Sequence, residues 1–285
     1  MAGIVRWRSL PPAAGAPRLR GMATLLGDVG TIEWSRRTGG VLGRGERARF
    51  LAATALASAR VMPRLLAARA GRRGGGPDPS ALTPPDTPFV RDVLDACGDL
   101  DPMVVQHGYR SYLYARALGL AEGVECDDEA LFAAALLHDY AFQDMDAIPD
   151  ACFTLVGARV AEDILARSPL EGPLRHDVLD AMTLHLNPAV GIGQGAIQHL
   201  AHDGIALDVL GLRAWDLDPA GVRAVQERHP RHGFTVRGEP LLRAHGRRVR
   251  GCRAGALFAC GFGPALRLSP WRAGEASYFP LPPRR

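Results

Sequence analysis

Lysine is absent from the chain: arginine supplies the positive charge of all 285 residues. Alanine, glycine and proline are also abundant, so this reads as compositional bias of a whole genome. The formal net charge is only +4, but it is unevenly spread. Arginine is dense before Arg73, where Asp28, Glu33 and Glu46 are the only acids. A basic, Gly-rich arm could touch nucleic acid or an anionic membrane, yet a charge run is usually a solvated face, and no nucleic-acid partner is expected. Cysteine is scarce. Cys97, Cys126, Cys152, Cys252 and Cys260 are odd in number and no two form a CxxC, which argues against a disulfide framework and a zinc ribbon. They read as buried thiols acting as small apolar residues, and a reducing cytoplasm fits best. No run approaches the roughly 20 apolar residues of a bilayer span. Nor does the start resemble a signal peptide, since Arg6, Arg8, Pro11, Pro12, Pro17, Arg18 and Arg20 break its apolar pieces.

A hydrophobic fraction of 47% supports a substantial core. Residues 1–45 lack periodicity and are rich in Gly, Arg and Pro, so a loosely ordered basic arm is expected there. Residues 46–85 read as a helix and then a Gly/Pro linker. Phe50, Ala53, Ala57, Val61 and Leu65 mark the helix's apolar face, and Pro63 is placed to end or kink it. The linker signal is residues 71–77. Asp86 or Thr87 can cap the next helix, with Pro88 just inside it. From there to residue 285 the pattern is helix after helix. Helices are predicted at 88–98, 102–119, from the Asp127 cap to Asp139, 154–167, 173–186 and 196–210, the last ending at Gly211. Shorter ones are predicted at 219–229 and 239–245, followed by a short apolar segment at 254–262. No strand series is apparent, and the fold class is all-α.

Chemistry concentrates where polar residues interrupt apolar runs. His138 and Asp139 end the run Ala133-Ala134-Ala135-Leu136-Leu137. A carboxylate there is costly unless neutralised, and an acid at a helix C-terminus opposes the dipole; a cation shared with the neighbouring imidazole removes both conflicts. His107 lies one predicted helix earlier. Asp208 interrupts the run 205–210, and the small residues Gly204 and Ala201 on its face leave room for another helix or a ligand. By contrast, His199, His202 and Asp203 read as an exposed, unremarkable group. Two imidazoles and two carboxylates suit Zn, Fe, Mn or Co better than Ca or Mg. Such an ion lowers the pKa of a bound water and polarises an electrophile. His185, before Asn187-Pro188, is placed to bond substrate or shuttle a proton, with Asn187 beside it toward substrate. Arg110 could hold Asp139 or meet an anionic substrate.

The order His107, His138-Asp139, Asp208, each step on its own helix, resembles the HD-domain metal-dependent hydrolases. The resemblance covers most of the chain after about residue 86. It looks closest to proteins similar to cyanamide hydratase, through His107 to Arg110, Leu136 to Asp139, His185 to Pro188, Leu207 to Gly211, and the stretch from His229 to Phe234. It implies a helical bundle with one metal, zinc foremost, held by His107, His138, Asp139 and Asp208. It further implies an enzyme acting on a small molecule, by phosphoester hydrolysis (a phosphohydrolase) or by nitrile or cyanamide hydration, with His185 and Asp139 in catalytic roles. The acidic or basic helper of some HD phosphatases is missing from Tyr140-Ala141-Phe142-Gln143. Two alternatives stay open: a di-iron oxygenase using His185 and His202, and a ligand-binding module without turnover. A homo-oligomer is compatible with the sequence.

Overall fold

The computed structural model describes residues 23–69 and 75–271. Among them the fold is all-α, with thirteen α-helices and a single isolated bridge, Val41 to Cys252, in place of any sheet. The N-terminal helices are α1 (Ala23–Leu26), α2 (Ile32–Thr38) and α3 (Arg44–Arg69); α4 is Pro88–Ala96 and α5 Pro102–Glu122. Then come α6 (Asp128–Leu137), α7 (Phe153–Ala166), α8 (Gly172–Leu184) and α9 (Ala196–Leu210). The chain closes with α10 (Pro219–Arg228), α11 (Phe234–Arg248), α12 (Arg253–Ala259) and α13 (Phe262–Leu268).

Helix α6 is the axis. Its residues from Ala130 to Leu137 are all buried, as expected of a helix apolar on every side, and α4, α5, α7, α8 and α9 all pack on it. The Asp127 carboxylate caps it by accepting from the Ala130 N–H at 2.8 Å. Thr87 likewise caps α4 and Asp101 caps α5. Helix α5 lies closest to α6 at Gly108, where an added Cβ would sit 3.0 Å from the Ala135 carbonyl and the Leu136 Cα. That approach brings His107 beside the end of α6. Gly204 does the same between α9 and α5: its Cβ would lie 2.2 Å from the Ser111 carbonyl oxygen and 2.8 Å from Ala115. The room expected beside Asp208 is therefore filled by another helix.

Three expectations change. The segment before residue 46 is not a loose arm where it is described, from residue 23 onward. Leu26, Val29, Ile32 and Trp34 are buried in the core. The Ile32 N–H donates to Asp180 at 2.7 Å, and the Asn187 amide donates to the Val29 carbonyl at 2.7 Å. Residues 1–22 of the predicted arm and residues 70–74 of the predicted linker lie outside the described residues. Second, α3 runs through Pro63 to Arg69. By length and composition it is the one described helix that could cross a bilayer, contrary to the reading of no such stretch. Phe50 and Ala53 on it are nonetheless fully buried in the core. Third, the C-terminal helix expected at 239–245 is much longer, extending back to Phe234 through Pro240.

Gly204→Ala is expected to destabilise the chain by roughly 1–3 kcal/mol, because the new methyl meets backbone that cannot rotate away. Urea unfolding measures this; an unchanged midpoint would show that α5 and α9 pack less tightly than described.

Candidate metal centre

Three histidines and one aspartate converge at the end of α6. His107 stands on α5, His138 is the C-terminal cap of α6, Asp139 is the next residue, and His185 caps the end of α8. Each imidazole has its Nδ1–H fixed by an acceptor. His107 donates to Asp208 Oδ2 at 2.6 Å, His138 to the Ala135 carbonyl at 2.9 Å, and His185 to the Met182 carbonyl at 2.7 Å. With Nδ1 the donor, each ring when neutral presents a lone pair at Nε2. Asp139 Oδ2 lies 3.4 Å from His138 Nε2 and 3.8 Å from His107 Nε2, while Oδ1 lies 3.7 Å from His185 Nε2. The two Nε2 atoms of His107 and His138 are 3.1 Å apart. Lone pairs at that distance repel unless a positive charge, a proton or a metal cation, lies between them. Ligand atoms about 2.0–2.2 Å from a tetrahedral ion sit roughly 3.3–3.6 Å from one another, so the observed spacings suit one ion. His107, His138 and Asp139 together satisfy the spacing of a metal-holding group.

The electrostatics favour the neutral, metal-binding state for His107 and His185 and a positive charge, proton or cation, at His138. Burial pushes His107 down to about 4, although Asp208 pulls the other way. Burial, aided by the charge of His138, pushes His185 down to about 3. Both are neutral at pH 7, the state that binds metal. Burial opposes a proton on His138, but Asp139 outweighs it and raises His138 above its ordinary value. Asp139 is held below the usual carboxylate range: burial works against this, and the charge and hydrogen bond of His138 overcome it.

The sequence suggests Asp208 as the fourth ligand; the structure places it behind His107, on the far side of the ring. Its four acceptor directions are taken. Oδ1 accepts from Arg110 Nε at 2.8 Å and Arg231 Nη1 at 2.8 Å; Oδ2 accepts from His107 Nδ1 at 2.6 Å and Arg110 Nη2 at 2.9 Å. Burial alone would raise its pKa, but the two guanidiniums hold it well below the usual range. Its place is that of an outer partner that fixes a ligand's tautomer. His185 borders the group, its Nε2 3.7 Å from Asp139 Oδ1, but only His107, His138 and Asp139 share metal-holding spacing. Arg110 holds Asp208, not Asp139, and is fully buried, so it meets no substrate. Asn187 is also structural. Its amide donates to Val29, its Oδ1 accepts from Arg253 at 2.9 Å, and its carbonyl accepts from His202 at 2.9 Å. His202 Nδ1 is occupied by Asp203 at 2.9 Å, which leaves it no free nitrogen for a second ion. Of the residues after the His-Asp pair, Tyr140 donates to the Ala96 carbonyl and Gln143 accepts from the Asp101 N–H. Neither serves the site, in line with the missing helper.

Arg231 and Phe234 carry roles that their spacing in the sequence does not signal. Besides its bond to the Asp208 carboxylate, Arg231 donates to the Asp208 carbonyl at 3.0 Å. Phe234 stacks on His107 with centroids 4.2 Å apart. Phe142 and Phe153 extend an aromatic wall, Phe153 lying 6.0 Å from the His185 ring. The carbonyls of His229 and Pro230 accept from Arg110. The stretch 229–234 thus closes the site from behind.

A second buried cluster lies between α5, α9 and the loop after α9. His199 bonds Glu122 at 2.9 Å and the Val190 carbonyl at 2.8 Å, and Arg213 pairs with Asp203 at 2.6 Å and with Glu122. The sequence reading of His199, His202 and Asp203 as exposed is corrected: all three are buried. Glu122, His199 and Asp203, like the exposed group Glu33, His176 and Asp180, have metal-compatible spacing. But Arg213 already supplies the cation in the first, and the Ile32 N–H takes Asp180 in the second.

No family model matches the chain, and no curated protein matches it.

Asp208→Asn puts an amide N–H against arginine donors in a dry interior, and a loss of about 3–5 kcal/mol is expected on denaturant unfolding; near-neutrality would contradict the charge cluster. His199 gives a pH signature. Burial works against its charged form, but Glu122 and Asp203 win, raising it to about 9. Its contribution is complete below its ordinary 6.5 and lost as pH rises through 9, at most about 3 kcal/mol. Glu122→Gln should flatten this alkaline fall in stability; an unchanged slope would exclude the pair as its source.

Proposed function

We propose that the chain is a metal-dependent hydrolase or hydratase of the HD type, acting on a small molecule. This reading rests on two Nε2 atoms and one carboxylate, those of His107, His138 and Asp139, lying within ligand spacing of one another, with both Nδ1 atoms already fixed and His185 beside Asp139. His107, His138 and Asp139 would hold one divalent transition ion, zinc foremost, and His185 completes or borders the set. The ion supplies a water of lowered pKa and a Lewis acid for the electrophile. His107 is held rigid by Asp208 on one edge and Phe234 on its face. Asp139 offers Oδ2 to the shared point and Oδ1 toward His185. His185, neutral at pH 7, presents an Nε2 that can take a proton from the attacking water and return it to the product. The phenylalanines Phe142, Phe153 and Phe234 keep bulk water from the reacting centre.

The charge distribution favours an uncharged carbon electrophile over a phosphoester. A phosphate needs free guanidinium or ammonium groups. Arg110 and Arg231 are both committed to Asp208, Arg253 donates to Asn187 and Thr154, and the chain has no lysine. A nitrile or a similar small sp or sp² carbon needs no such cation. The direction is therefore addition of water to a nitrile-like substrate, with phosphomonoesters as the contrast.

Elemental analysis of the purified chain is expected to give one transition metal per molecule. Removal by a chelator should abolish turnover on a nitrile panel and re-addition of zinc should restore it. Asp139→Ala should lose metal and activity by more than the roughly 10–100-fold typical of an outer partner. Turnover that survives both chelation and Asp139→Ala would overturn the reading.

A further inference from the structure

Cys152 and Cys252 are 100 positions apart, yet their sulfurs lie 3.4 Å from each other. The fold brings them together through one short segment. The Cys152 N–H donates to the Gly39 carbonyl at 2.9 Å, Cys252 bridges Val41, and the Leu42 N–H donates to Gly251 at 2.9 Å. Each cysteine is the N-terminal cap of a helix, Cys152 of α7 and Cys252 of α12, and neither helix has a side-chain cap. The Cys152 side chain thus sits at the positive end of the α7 dipole.

A buried arginine adds a second observation. Arg253 is fully buried. Its partners are neutral: Asn187 Oδ1 at 2.9 Å, Thr154 Oγ1 at 3.2 Å and the Trp34 ring at 5.4 Å. Among the described residues no carboxylate forms an ion pair with it. A buried guanidinium without an anion is costly. Thr154 accepts from Arg253 and passes a hydrogen bond on to Cys152 Sγ at 3.3 Å; the Cys252 thiol donates to the same sulfur. We propose that Cys152 is the anion of this pocket, a reactive thiolate, and that Cys152 and Cys252 form a peroxide-driven reversible disulfide that pins α7 to α12. The hydrogen bonds from Cys252 and His245, with Arg253 and Thr154, hold Cys152 well below the ordinary thiol range in spite of burial.

Both cysteines are almost completely buried, so the oxidant must be small, and hydrogen peroxide fits. Cys152 S⁻ attacks one peroxide oxygen, the O–O bond breaks, and hydroxide leaves. Cys152 becomes a sulfenic acid. Cys252 then attacks that sulfur, losing its proton. The S–O bond breaks; one hydroxide takes the Cys252 proton and leaves as water, and the other leaves as hydroxide, balancing the proton that Cys152 gave up to become a thiolate. The sulfurs must close from 3.4 Å to a bond of about 2.05 Å. A metal is the poorer occupant. His245, the third side chain within ligand distance of the two sulfurs, accepts the Phe153 N–H on Nε2 at 3.2 Å, so its Nδ1 carries the ring hydrogen and offers a donor, not a lone pair, and two sulfurs alone do not make a closed zinc site.

The test uses the full chain. It is treated with hydrogen peroxide, unfolded, alkylated, digested and read by mass spectrometry. Expected is one linked peptide pair, Cys152 with Cys252, which dithiothreitol reverses, while Cys97, Cys126 and Cys260 alkylate as before. In Cys252→Ser, dimedone should trap Cys152 as sulfenic acid; Cys152→Ser should leave Cys252 unmodified. Should a variant not fold, the wild-type map decides alone. Both thiols unmodified at a dose that oxidises Cys126 or Cys260, a link between other cysteines, or zinc released from these two sulfurs by peroxide would each overturn the proposal.

Discussion

The fixed point of this molecule is the carboxylate of Asp208, enclosed by two guanidiniums and one imidazole. Taking so many charges out of water is expensive, and only near-complete pairing makes it tolerable. Here the pairing is complete: both oxygens accept twice. The consequence reaches the site through one bond. Because Asp208 takes His107 Nδ1–H, the ring's other nitrogen must face His138 and Asp139. A carboxylate that ligates nothing thereby decides what a neighbouring ring can ligate.

Around that point the helices divide the labour. Helix α5 brings His107 and Arg110 on one face, three residues apart. Helix α9 brings Asp208 against them because Gly204 lets two backbones nearly touch. Helix α6, apolar throughout, can only be central, so the polar residues at its end are delivered to the middle of the bundle. The N-terminal segment is held by Asn187 and Asp180, at the ends of the turn and helix that carry His185. Order in that segment and order at His185 are therefore coupled.

Much of this was legible in residue order. The helix boundaries came from caps and glycines, since Asp127, Thr87 and Gly211 act locally. His107, His138, Asp139 and His185 stood out because each interrupts or ends a helix in apolar surroundings. Local signals failed where the partner is distant. Asp208 resembles a ligand until Arg231 is seen bonded to it, and nothing in the spacing of 208 and 231 announces that bond. Asn187 reads as substrate-facing because it follows His185 in sequence, but its amide serves Val29. Residues 23–45 looked loose because their few apolar groups lack periodicity; Trp34 and Ile32 are buried by contacts that only the tertiary fold supplies. The cluster of Glu122, His199, Asp203 and Arg213 was hidden because a charged group on a helix is usually exposed.

Which atoms would surround a bound ion is measured directly by X-ray absorption on the chain incubated with zinc, in wild type and in Asp208→Gln. Imidazole nitrogens with a single carboxylate oxygen are expected in both, the substitution weakening affinity without removing a ligand. Loss of one oxygen ligand from the Asp208 variant would contradict this arrangement, since the carboxylate placed behind His107 would then be bound to the metal itself.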